Sequence, residues 1–176
     1  SVRPNGAGSS RVGGADVSRW RDDALRDAYG TFFYLRRHTA QGASAPVSLT
    51  QHPAPDSNAH YESALHSDHI CLHAHWPDLH SCCTVWVSPE DDIELRRVEL
   101  WNTSNEDTAL DLMSVFEVSL LDARADEANP AFTNLFVHAH WDASDQALYF
   151  VRKPNVDKQV ALHAVHFIAH TDHPLD

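Results

Sequence analysis

The chain has 176 residues, with 25 acidic side chains against 13 lysines and arginines, for a formal net charge of −12 with histidine neutral. That charge repels phosphate and argues against nucleic-acid binding, while 43 % hydrophobic residues suffice for one folded domain and exclude a disordered chain. The apolar runs are only a few residues long, too short for a bilayer-spanning helix, and three cysteines, an odd number, argue against a complete disulfide framework.

Residues 1–17 are rich in Gly, Ser and Ala without an apolar period and are expected to form a flexible arm ahead of one domain over 18–176. The chain starts at Ser1 and Met113 is its only methionine, so it is read as a mature product or a piece of something longer. Residues 18–30 are mixed. Ser18 is suited to cap a short helix carrying Trp20, Ala24, Leu25 and Ala28; the alternative is a charged loop closed by Gly30.

From Thr31 onward the signal is β. Thr31 to Leu35 is an aromatic run fit for a buried strand, and residues 40–58, rich in Pro, Ala and Ser, read as a loop. Ile93 to Asn102 reads as a strand whose alternation slips at Arg96-Arg97, which a bulge would restore. Leu110 to Leu120 has a period of two, with Leu110, Leu112, Phe116, Val118 and Leu120 on one face and only Ser114 breaking it. Ala147 to Arg152 and Val160 to Ala169 continue the pattern, and the polar runs at 103–107 and 142–146 read as hairpin loops. Strands separated by turn clusters indicate an all-β, antiparallel sandwich or barrel, of which the sandwich is expected here, with at most a short helix near 20–28.

The tetrapeptide His-Ala-His-Trp occurs at 73–76 and again at 138–141. On a strand, alternate side chains share a face, so His73 and His75 point one way, as do His138 and His140. Four imidazoles on neighbouring strands would suit a metal. The opposite faces weigh against it: Ile70, Leu72, Ala74 and Trp76 on one strand, and Leu135, Val137, Ala139 and Trp141 on the other, each form an apolar set for a core. The histidines then face water, and neither a metal nor any other cofactor is expected.

Glu90-Asp91-Asp92 after Ser88-Pro89 is read as a turn rather than a cation site, and Cys82-Cys83 lacks the spacing of a zinc or redox motif. Phosphate loops, nucleophile elbows and HExxH are missing from the sequence. The most site-like stretch combines Arg19, Trp20, Arg21, Asp22, Arg26 and Asp27. A flat aromatic with forked donors and acceptors suits a sugar, whose CH face stacks while its hydroxyls take polar partners. A salt-bridged element with Trp20 in the core fits the same residue types.

Three segments together resemble a known family. VSPEDDIELRRVELWNTS at 87–104 and SVFEVSLLDARADEANPAFTNLFV at 114–137 are similar to the start of the phosphorylase-like part of the cyclic β-1,2-glucan synthases, in glycoside hydrolase family 94, formerly glycosyltransferase family 36. SRWRDDALRDAYGTFFYLRR at 18–37 resembles the family's upstream block, and Asn129-Pro130-Ala131-Phe132 stands where the family usually has His-Pro-Ala-Phe. The likeness covers residues 15–153, and the His-Ala-His-Trp stretches are outside the family pattern.

The resemblance implies an N-terminal super-sandwich that packs beside an (α/α)6 barrel holding the acid aspartate and the phosphate site. It implies a non-catalytic accessory role for this chain, with no turnover of its own and homodimerisation as in related phosphorylases. It also implies that Arg19, Trp20, Arg21, Asp22, Arg26 and Asp27 lie on a loop near the active-site side, contacting β-1,2-glucan or a related glucoside. The parent would work at the cytoplasmic face of a bacterial inner membrane, with no membrane contact by this segment. Two rival readings are a free-standing carbohydrate-binding module and a metal-dependent β enzyme using His73, His75, His138 and His140.

Overall fold

The computed structural model describes residues 1–23, 25–154 and 161–169, and it is built from antiparallel strands in four sheets. The largest is a meander of β6 (His60–Leu65), β7 (His69–His75), β8 (Leu79–Val87) and β9 (Glu94–Asn102), in that order. Facing it is a sheet of β10 (Ala109–Phe116), β3 (Thr31–Thr39) and β4 (Gly42–Ala43), with β5 (Val47–Ser48) also paired to β3. Two three-stranded sheets complete the fold. One is β1 (Arg11–Val12), β2 (Ala15–Ser18) and β11 (Val118–Leu121); the other is β12 (Val137–Asp142), β13 (Ala147–Arg152) and β14 (Leu162–Phe167).

The all-β reading holds, and the first apolar face is where alternation puts it. Ile70, Leu72, Ala74 and Trp76 are buried, joined by Leu79, Cys83 and Val85 from β8 and by Leu35 and Leu49 from the facing layer. The loop over 49–59 is tied to this core through polar groups. The Trp76 indole donates to Asp56 Oδ2 at 2.8 Å, and the Tyr61 hydroxyl donates to the Ser48 carbonyl at 3.0 Å while accepting from the Asp56 amide. Buried aromatics with a polar handle need such partners.

Five expectations change. First, residues 1–17 carry β1 and most of β2 and are fastened down: the Gly8 amide donates to the Tyr29 carbonyl, Ser10 Oγ donates to Glu94, and Ala7 and Asp16 are buried. Gly and Ser permit this path because Gly6 at φ +89 lies against Thr50, where a Cβ would collide at 2.4 Å.

Second, of the two readings of 18–30 the charged loop closed by Gly30 is the one present, and the described residues of 19–30 carry no helix. Ala24 is outside the described residues. The short helices lie instead at α1 (Ala123–Ala128) and α2 (Pro130–Thr133), where Asp122 caps α1 by accepting from the Arg124 and Ala125 amides.

Third, β9 runs in unbroken register with β8 and has no bulge. Its inward positions include Glu94 and Arg96, an ion pair at 2.7 Å, so the alternation continues with charge in place of carbon.

Fourth, the run from Leu110 to Leu120 is two strands. β10 pairs with β3, the chain turns at Glu117, and β11 pairs with β2, with Leu120 at φ +52. Leu112 is half-exposed as a result.

Fifth, 103–107 joins β9 to β10 in a different sheet and is no hairpin, whereas 142–146 does connect the paired strands β12 and β13. Within the strand expected over Val160 to Ala169, β14 occupies 162–167, and Val160 is outside the described residues.

A polar hub between two open clefts

Arg19 follows β2 directly, and its place in the chain decides its surroundings. The Glu117 carbonyl, at the break between β10 and β11, accepts from the Arg19 amide at 2.8 Å, so the side chain enters the gap between sheets. There Nε and NH2 form a two-point contact with Asp126 of α1, at 2.7 and 2.8 Å. NH1 donates to Glu117 Oε2 at 2.8 Å, and NH2 also donates to Asn134 Oδ1 at 2.5 Å. The Thr133 hydroxyl donates to Asp126 at 2.8 Å. Arg19 and Asp126 are both nearly inaccessible, with side chains 7 % and 4 % exposed.

Burial alone would push the Asp126 carboxyl up, but the donors from Arg19 and Thr133 outweigh it and hold it below the ordinary carboxylate value. The same hydrogen bonds raise Arg19. This carboxylate is an acceptor locked in its charged form, unfit as a proton donor near neutral pH. Close by, Arg152 of β13 is buried and, among the described residues, has no carboxylate contact. It donates to the carbonyls of Thr133 and Ser119, and burial pulls its pKa down.

Two clefts flank the hub. One, of about 440 Å³, is walled by Phe116, Val118, Val137, Ala139 and Phe150 beside Arg19, Glu117 and Asn134. The other, of about 170 Å³, lies between Tyr29, Phe32, Tyr34 and Val115 on the far side of Arg19 and Glu117. The larger cleft accounts for the second apolar face predicted from sequence. Val137, Ala139 and Trp141 do share a face, but they are not core: Trp141 is 54 % exposed, Ala139 is exposed, and Leu135, at 70 % exposure, belongs to a 3-10 turn before the strand.

The remaining members of the Arg19 stretch stay close in space through the first residues of the chain. Arg3 donates to Asp22 at 2.9 Å and to Asp27 at 2.8 Å, and its guanidinium sits 4.8 Å above the Trp20 ring. Asn5 adds a second donor to Asp27. Arg21 lies over the Tyr29 ring at 5.9 Å, with its Nε buried and unpartnered. Arg26 is exposed and, among the described residues, has no ion-pair partner.

The candidate metal histidines are not brought together. β7 and β12 lie in different sheets, and no group of ligand atoms among the described residues joins His73 or His75 to His138 or His140. The acidic run at 90–92 is exposed and turned by Ser88 Oγ, which accepts from the amides of Glu90 and Asp91. Glu117, Asp126 and Asn134 escaped the sequence reading because their spacing to Arg19 is set only by strand pairing. The signal that pointed to them was the resemblance over 114–137.

The family model described as the glycosyl hydrolase 94 supersandwich domain matches residues 1–175. The chain belongs to this family. It is also similar to the cyclic beta-(1,2)-glucan synthase NdvB of Rhizobium meliloti (strain 1021), with 28 % identity over 171 residues, 93 % of this chain. The chain spans 6 % of the length of that relative. For a supersandwich domain of this family, the Arg19 hub is the point at which three of its four sheets meet the helical segment 123–136.

Proposed function

We propose that this supersandwich domain is the accessory domain of a family 94 enzyme related to the cyclic β-1,2-glucan synthases, and that it packs against an (α/α)6 catalytic barrel. The supporting observation is the open cleft beside Arg19, together with the half-exposed Trp141, which shares a face of β12 with the lining residues Val137 and Ala139. Apolar side chains left open on one flank are what a protein contact would cover. The hub carboxylates are held by arginine, which suits scaffolding rather than proton transfer.

In this reading the parent acts on β-1,2-glucan at the cytoplasmic side of a bacterial inner membrane. Among the described residues no helix is long and apolar enough to cross a membrane. The test is co-purification of the chain with the catalytic barrel of its parent. Retention of the barrel by the native chain and its loss with Trp141→Lys supports the contact; equal retention by both refutes it.

A second reading gives the Trp20 loop a glucan contact. It is favoured by the unpartnered Nε of Arg21, by a half-buried Trp20, and by an exposed Arg26 that has no ion-pair partner among the described residues. Against it, Arg19 has its donors committed and one Trp20 face is covered by Arg3. Isothermal titration with a β-1,2-gluco-oligosaccharide separates the two: heat that vanishes in Trp20→Ala makes the loop a sugar site, and no heat leaves the scaffold reading.

A further inference from the structure

The outer face of the β6–β9 sheet holds a cluster that neither the family nor the hub accounts for. Cys71 and His73 are alternate residues of β7, and Cys82 of β8 stands directly opposite His73. Their ligand atoms, two sulfurs and an imidazole nitrogen, all lie within 4.8 Å of one another. Tetrahedral zinc with bonds of about 2.3 Å to sulfur separates its sulfurs by roughly 3.7 Å, so small side-chain rotations close the site. Both strands are central in the sheet, paired on either side, which fixes the Cβ positions.

We propose that Cys71, His73 and Cys82 form a three-ligand site for a d10 cation of the zinc class, with water in the fourth position. Two thiolates and one neutral imidazole balance the charge of Zn2+ and match its preference for sulfur and nitrogen. Cys82 is buried and Cys71 half-buried, so the sulfurs are sheltered, while His73 keeps one side toward solvent for entry. The Thr84 hydroxyl lies 3.8 Å from each sulfur and can donate to a thiolate. Glu62 stands opposite His73 and Glu99 opposite Cys82 in the strand register, though their carboxylates contact His60 and Arg97.

A competing set, His66, His69 and Cys71, has one sulfur, an exposed His66, and a His69 ring whose Nδ1 contacts Asp68 at 2.8 Å. It lacks the second thiolate that favours zinc.

The experiment is Co2+ titration of the full chain, purified without a histidine tag and under reducing conditions, followed by Zn2+ displacement. The expected result is one Co2+ per chain with a sulfur-to-cobalt charge-transfer band that Zn2+ abolishes. Cys71→Ser and His73→Asn, at half-exposed positions that leave the core intact, should each weaken binding about tenfold or more, by analogy with lost ligand support. His66→Ala should leave the titration unchanged. A titration without the charge-transfer band, an undiminished Co2+ affinity in both Cys71→Ser and His73→Asn, or loss of the band in His66→Ala would each overturn the assignment.

Discussion

Arg19 illustrates how a residue chosen for chemistry can turn out to hold the fold. Its two-point contact with Asp126 is buried on both sides, and removing Asp126 leaves the buried Arg19 with only the largely exposed Glu117 as an acidic partner among the described residues. Asp126→Ala is therefore expected to cost about 3–5 kcal/mol in urea denaturation, with much of the loss recovered when Arg19→Met is added.

The pH dependence follows from the same groups. The folded pKa of Asp126 lies below its ordinary 3.8, so its stabilisation is complete above that value and is lost as pH falls through the folded pKa. Glu94 behaves alike from 4.5: burial pushes it up, and Arg96 and Ser10 more than offset that. His166 is pushed below 6.5 by burial and then by Arg96, so acidification first weakens the fold below pH 6.5. A thermal melt series should show both declines, and His166→Phe should remove only the first.

The elements show the same interplay of carbon and charge. β7 alternates cleanly because one face meets the core, and that face was legible from residue types alone. β9 misled because Arg96 points inward, held by Glu94 and by the Thr31 carbonyl. The inward arginine ties β9 to β3 across the sandwich, a role that no period of two can announce. The loop over 49–59 hangs on the Trp76 indole in a similar way. Trp76→Phe keeps an aromatic ring but drops the donor to Asp56 and leaves space in the core, so it should cost at least about 1–3 kcal/mol and loosen this loop ahead of the core. Hydrogen exchange resolved by residue would detect that order of opening.

Taken as a molecule, the domain is unevenly covered. The β6–β9 layer and its facing sheet enclose a compact core, whereas the β12–β14 sheet leaves Trp141, Val165 and Phe167 about half-exposed. An isolated chain with such a flank is expected to self-associate as its concentration rises. Sedimentation velocity should report a shift toward larger species, and Trp141→Lys should move the distribution back toward monomer.

Residue order by itself determined the all-β class, the β7 face, the first half of β3 and the family, because alternation and motif blocks are local properties. It also singled out Arg19 and its neighbours by their types. Only the tertiary structure decided that the first residues clamp the Trp20 loop, that the strand after Leu110 changes sheets at Glu117, and that the apolar side of β12 walls a cleft. It alone also placed Cys82 opposite His73, so the grouping of sulfur with imidazole stayed hidden while the repeated histidines drew attention. The physical reason is common to all four. Each depends on which strand lies beside which, and pairing between distant segments is chosen by the whole balance of burial and hydrogen bonding.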